Sequence, residues 1–246
     1  MQLSSNNFFT PLINILYPKV CHHCGDSFSD GLSNILCRSC FDSIPVFEDP
    51  LCDHCGLPLP ARAFEDAEQL RCRECGDKPY FLDQVRALGT YGGALRIIHH
   101  VFKFEGMESL KEEISDKLVE ATPAFFLKQV EALVPVPLSP VRKRERGYNP
   151  SELLAIEVSR RTGIPVQFSL DKIKSTVPQM SLTREERFKN PKGAYQVKRD
   201  EMVPAKVLLI DDVFTTGSTL EECARVLKKS GAQWVGALVF GRTARY

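Results

Sequence analysis

Past residue 80 the hydrophobic positions fall into alternating strand-like and helix-like runs. Val85–Tyr91 is a short apolar strand ended by Gly92-Gly93, and Ala94–Phe102 repeats its apolar residues at helical spacing. Glu108–Leu127 is a second helical run, dented at Pro123. Glu131–Pro137 (EALVPVP) is an apolar strand that leads into a Pro- and Arg-rich loop. Ser151 then caps a helix through Thr162, with Gly163 as its stop. Val166–Leu170 is a weak strand, followed by a strongly charged stretch, Asp171–Lys192. The clearest unit comes last. Lys206–Ile210 (KVLLI) is a continuous apolar run bounded by Asp211, which suits a buried parallel strand. Ser218–Lys229 is helical, opened by Ser218 and Thr219 with Glu221 and Glu222 at capping-box spacing, and closed by Gly231. Trp234–Phe240 is the next strand, completing a βαβ unit. Residues 81–246 are thus predicted to form an α/β domain on a parallel sheet.

The first 80 residues follow another rule. Eight of the nine cysteines lie between Cys21 and Cys75, as the C-x-x-C pairs Cys21/Cys24, Cys37/Cys40, Cys52/Cys55 and Cys72/Cys75. Two intervening residues let the backbone turn so that both thiolates face one ion. Gly25, Gly56 and Gly76 follow three of the pairs, supplying the left-handed conformation such a turn wants. The pattern predicts two consecutive four-cysteine zinc ribbons, each holding a structural Zn²⁺. A disulfide framework is the alternative and needs an oxidising compartment. Short spacers favour sequential pairing of the knuckles over a crossed one. His22, His23 and His54 lie inside knuckles that already have their thiolates, and Cys223 reads as a small core residue.

Composition sharpens the division. At 246 residues, 43% hydrophobic and net charge +1, the chain can bury a core and carries no general nucleic-acid coat. Residues 1–80 hold 6 Lys/Arg against 11 Asp/Glu, leaving 26 against 20 in residues 81–246. The apolar run Phe8–Tyr17 is broken by Pro11 and Asn14 and has no cationic lead, so it reads as a docking helix rather than a signal or a membrane span. The expected compartment is the cytoplasm, and the expected division is 1–80 and 81–246.

In parallel α/β sheets ligands bind beyond the carboxyl ends of the strands. Asp211 and Asp212 stand there, followed by Thr215, Thr216, Gly217, Ser218 and Thr219 at a helix N-terminus, where free N–H groups and hydroxyls favour a phosphate. Acids beside a phosphate cradle need something else to face. Sugar hydroxyls or Mg²⁺ satisfy them, so a sugar phosphate fits both halves. The loop after EALVPVP adds Arg142, Lys143, Arg144 and Arg146 at a second strand end, which suits pyrophosphate.

The run IDDVFTTGST resembles the PRPP-binding signature of type I phosphoribosyltransferases. That resemblance implies that Asp211 and Asp212 hold ribose hydroxyls and that Thr215–Thr219 wrap the 5′-phosphate. With the cysteine-rich N-terminus, VPVPLSPVRKRERGYNPSELLA and VPQMSLTREERFKNPKGAY, nearly the whole chain resembles the ComF family, phosphoribosyltransferase-like proteins named from competence. Arg146, Gly147, Tyr148, Asn149, Gln179, Leu182, Arg187 and Asn190 match its pattern. The resemblance implies a type I phosphoribosyltransferase-like domain behind a double zinc ribbon, with PRPP, Mg²⁺ and an unidentified acceptor as ligands.

Purine-specific relatives carry an acid where this chain has Thr215, so the motif contains no general base. Lys172 and Lys174, in the charged stretch, are the candidates for proton transfer, each weighed against an ordinary solvated lysine. Two rival readings belong to other classes: a single-stranded-DNA-binding accessory factor, and a PRPP sensor without turnover. Because two four-thiolate zinc centres add negative charge to an acidic half, the ribbons suit a protein partner better than DNA.

Overall fold

The computed structural model describes residues 18–60, 70–76, 79–174 and 191–243. The expected docking helix at 8–17, residues 61–69 of the second ribbon's arm, and Gln179, Leu182, Arg187 and Asn190 lie outside these. The first ribbon consists of two small hairpins, β1 (Lys19–Val20) with β2 (Ser27–Phe28) and β3 (Gly31–Leu32) with β4 (Leu36–Cys37), and a helical turn α1 (Arg38–Asp42). The α/β part runs β5 (Gln84–Thr90), α2 (Gly93–Phe104), α3 (Lys111–Glu120), α4 (Ala124–Lys128), β6 (Ala132–Pro135), α5 (Pro140–Arg146) and α6 (Pro150–Thr162). It continues with β7 (Leu170–Lys172), β8 (Tyr195–Val197), β9 (Lys206–Phe214), α7 (Ser218–Lys229) and β10 (Trp234–Arg242).

Four strands form one parallel sheet in the order β5-β10-β9-β6. Its two faces separate by the period of two that strands impose. Leu208, Ile210, Leu238 and Phe240 enter the core beneath α2, α3 and α6. Val207, Leu209, Ala237 and Val239 enter the core beneath α7. The first ribbon contributes Leu32, Ile35, Leu36 and Phe41 to the former, beside Leu95 and Ile98. It is therefore a wall of that core.

The segment joining the ribbons and the first knuckle of the second ribbon cover β5, an edge strand of the sheet. Phe47 donates its N–H to Leu88 O at 2.9 Å, and Val85 donates to His54 O at 2.7 Å. Pairing the edge in this way removes an open template for association. The approach is close: at Gly56 (φ +65°) an added Cβ would lie 2.6 Å from Val85 O.

Several local expectations change on folding. Asp211 does not end its strand; β9 continues to Phe214 because β10 runs to Arg242 and pairs with it. The Arg-rich stretch expected to be a loop is the short helix α5, with Ser139 as N-cap and Pro140 in the first turn. Asn149 rather than Ser151 caps α6. The capping box on α7 does not form: Gly217 is the N-cap, Glu221 accepts from Phe81 N at 3.0 Å, and Glu222 binds Arg225 and Gly193 N. The helical run 108–127 is interrupted ahead of α4, at Pro123. The strand expected at 166–170 forms at 170–172 instead, paired antiparallel with β8 outside the main sheet, while Val166 makes only a bridge to Leu133. Among the described residues no helix is long and apolar enough to cross a membrane.

Candidate functional site

The eight paired cysteines gather into two clusters in sequential order. Cys21, Cys24, Cys37 and Cys40 form one, Cys52, Cys55, Cys72 and Cys75 the other, with the sulfurs of each within 4.8 Å of one another. The Cys24–Cys37 and Cys55–Cys72 sulfurs are 3.9 and 3.6 Å apart. A disulfide needs about 2.05 Å. A tetrahedron of Zn–S bonds near 2.3 Å has edges of about 3.8 Å. Cys72 N donates to Cys52 Sγ at 3.3 Å, as expected for a thiolate. The glycines after the knuckles have φ of +82°, +65° and +47°. Two four-cysteine clusters thus fit two structural zinc ions, and no histidine joins either set. Cys223 is fully buried in the apolar core, where burial raises its thiol pKa well above the ordinary range.

The second site is a cleft of about 1050 Å³ at the carboxyl ends of β5, β6 and β9. Asp211, Asp212, Thr215, Gly217, Ser218 and Thr219 line it. Thr216 is not in the lining; its Oγ1 shares a 2.9 Å hydrogen bond with Ser218 Oγ. Gly217 has φ +76°, and a Cβ there would lie 2.5 Å from the Phe214 ring. Glycine is therefore required on both counts.

The two acids differ. Asp211 accepts from Ser151 Oγ at 3.1 Å and from Asp212 N at 2.9 Å. Burial, and then the Asp212 charge, push its carboxyl up to about 7. Asp212 is gripped by Lys103 Nζ and by His99 Nε2, the latter at 3.2 Å. Burial opposes its ionisation, but Lys103 and His99 prevail and hold it well below the usual carboxylate range. The Tyr91 hydroxyl lies 2.9 Å from His99 Nδ1, on the opposite side of the ring from the Nε2 that meets Asp212. One acid is a fixed anion. The other sits at the edge of protonation.

This asymmetry has a signed consequence for stability. Unfolded, Asp211 releases its proton near pH 3.9, whereas folded it keeps it to about 7. Its contribution is full below pH ~4, falls as pH rises, and is lost above ~7. Asp211→Asn is expected to flatten that part of the stability–pH curve. Urea unfolding of both proteins at pH 5 and 8 checks it; identical pH slopes would refute it.

Because α5 is helical, its four cations divide between two faces. Arg142 and Arg146, four residues apart, line the cleft. Lys143 points to Glu152, with 2.9 Å to each carboxylate oxygen, and Arg144 is exposed outside the lining. Arg146 lies over the Phe104 ring at 5.0 Å, its Nη1 is buried without a hydrogen-bond partner, and burial lowers its pKa. Lys172 lines the cleft 5.3 Å from the Tyr195 ring, its pKa lowered by burial and by Arg142. Lys174 does not line it.

Residues not singled out from sequence complete the cleft: Tyr91, Arg96, His99, Lys103, Phe104 and Tyr195. His99 and Lys103 are an i, i+4 pair on α2. Their sequence signal was two polar groups interrupting an amphipathic helix, with nothing local to show which acid they face.

The class defined by this architecture is a pair of four-cysteine zinc ribbons joined to a parallel α/β domain with a cleft at its strand ends. Residues 12–79 match the double zinc ribbon domain family. The chain is 33% identical to competence protein F of Haemophilus influenzae over 220 residues, 87% of this chain and 92% of that protein. It is 27% identical to competence protein ComFC of Bacillus subtilis (88% and 91% covered) and 29% to DNA utilization protein YhgH of Escherichia coli O157:H7 (78% and 84%). The chain belongs to the ComF family. Among solved structures, the allosteric regulatory enzyme of purine biosynthesis and the glutamine PRPP amidotransferase of B. subtilis align at TM-score 0.39, with 18% and 16% identity. Each alignment covers 57% of this chain and 30% of the other.

Proposed function

We propose that the cleft binds PRPP with Mg²⁺ and transfers its phosphoribosyl group to an acceptor, in the uptake or use of DNA that the relatives' names describe. The carrying observation is the pairing of opposites within one cleft. The β9 acids, a hydroxyl loop at a helix N-terminus, Arg142 and the incompletely paired Arg146 line it together. Asp211 and Asp212 would take the ribose hydroxyls, the 215–219 loop the 5′-phosphate, and the arginines the pyrophosphate with its Mg²⁺. Neutralising the departing pyrophosphate is the chemistry these cations supply. Lys172, lowered by burial, is the candidate to accept a proton.

Calorimetric titration of PRPP with Mg²⁺ tests this reading. Arg146→Ala is expected to weaken binding about 10- to 100-fold, the worth of one charge-assisted contact, and Arg144→Ala by less than about twofold. Equal effects would overturn the assignment. Ribose hydroxyls and a divalent cation favour ionised Asp211, so affinity should rise from pH 6 to 8 with proton release. An affinity flat across that range would count against Asp211 as a ligand.

Single-stranded DNA is the second reading, favoured by Phe104. The residue is 59% exposed, with Arg146 and Lys103 within 6 Å of its ring centre. Aromatic faces among cations are how single strands are held without sequence preference. Competition between PRPP and an oligonucleotide would place both in this cleft.

A further inference from the structure

Two buried arginines flank the second cysteine cluster, and neither has a carboxylate ion pair among the described residues. Arg242, closing β10, is 2% exposed, and Arg86, on β5, is 5% exposed. Each leaves its Nε without a hydrogen-bond partner. A guanidinium buried in this way needs a negative centre nearby. Arg242 Nη1 donates to Cys55 O at 3.0 Å and to Cys55 Sγ at 3.3 Å. The negative groups acting on Arg86 are Asp49, Asp53, Cys52 and Cys55. Four thiolates around one Zn²⁺ carry a formal charge of −2, which two guanidiniums match.

The other side of Arg242 faces the ligand loop. Its guanidinium lies 5.3 Å from the Phe214 ring, and that ring fills the space beneath Gly217. The second ribbon also meets the first turn of α7. His54 stacks on Tyr80 at 3.9 Å and approaches Glu221 to 4.0 Å. The first cluster is bonded differently, with Cys37 Sγ sharing a hydrogen bond with Ser39 Oγ at 3.2 Å.

We propose that the second zinc centre supports the 215–219 loop, with Arg242 as the positioning residue that joins the centre's charge to the Phe214–Gly217 seat. Losing that centre takes away the negative group that Arg242 contacts, and the loop loosens with it. The ligand consequence rests on the reading of this loop as the phosphate site; the coupling itself does not.

The test uses the full chain with both zinc ions. In Arg242→Gln, one zinc should leave to a chelator about tenfold faster than in the parent, and the other at an unchanged rate. Alkylation read by mass spectrometry should place the loss at Cys52, Cys55, Cys72 and Cys75. Amide exchange across 213–220 should rise about tenfold and PRPP·Mg affinity fall by a similar factor, with Arg242→Lys between variant and parent on every readout. Should Arg242→Gln fail to fold, the parent stripped of one zinc at the second centre should show the same rise in exchange. Unchanged zinc release, or unchanged exchange at 213–220 once that zinc has gone, would overturn the coupling. A parent that binds no PRPP while the zinc and exchange results hold would overturn only the phosphate reading.

Discussion

Asp212→Asn is expected to lower PRPP·Mg affinity by about 100-fold and also to destabilise the protein. The affinity loss follows from removing a fixed anion that would accept from a ribose hydroxyl. The stability loss follows from Lys103, whose side chain is 21% exposed and loses its ion-pair partner. Removing one partner of a fully buried pair costs roughly 3–5 kcal/mol, and partial exposure reduces this to about 1–3 kcal/mol. Asp211→Asn should weaken the ligand to a similar degree with the opposite effect on the free protein. It removes a carboxylate that burial and Asp212 already disfavour, so stability at pH 8 should hold or rise. Calorimetry gives the affinities and urea unfolding the stabilities. Equal stability changes in the two variants would show that the asymmetry between the acids is wrong.

Cys24→Ser should have the larger structural effect, reaching well beyond its ribbon. Metal analysis should fall from two zinc ions per chain to one, because apparent zinc binding of about 10–16 kcal/mol supplies most of the folding energy of such a module. In an isolated module the damage would end there. Here Ile35, Leu36 and Phe41 of the first ribbon share a core with Leu95 and Ile98 of α2. Each such side chain contributes about 1.5–3 kcal/mol when buried. Losing the three together approaches the roughly 5–15 kcal/mol that holds a whole domain folded. The α/β domain should therefore melt at clearly lower temperature, and α2 should carry His99 and Lys103 away from Asp212. A variant that keeps two zinc ions, or loses one with unchanged melting, would contradict this.

The parts of the site legible in the sequence are those that neighbours along the chain create. KVLLI, two acids, a hydroxyl-rich turn with Gly217 and a helix define strand, turn and helix N-terminus within one βαβ unit. The α5 helix was legible too, in Ser139-Pro140 at its start and Gly147 at its end, but Pro and Arg in quick succession resemble a loop. Read as a helix, the same residues separate Arg142 and Arg146 from Lys143 and Arg144. Ser151 was placed as a cap; with Asn149 taking that role, its hydroxyl is available to Asp211.

By itself the sequence determined two four-cysteine centres, a parallel α/β domain and a hydroxyl-rich loop between β9 and α7. Each depends on spacings of a few residues, and short-range geometry leaves them little choice. Tertiary structure alone decided which acid is a fixed anion, which arginines face the cleft, and where the ribbons sit. His99 and Lys103 reach Asp212 across more than 100 residues of chain, and Arg242 reaches Cys55 across 187. The physical reason is that protonation and counter-charge are set by burial and by whatever charge lies within a few ångströms, and folding chooses those neighbours.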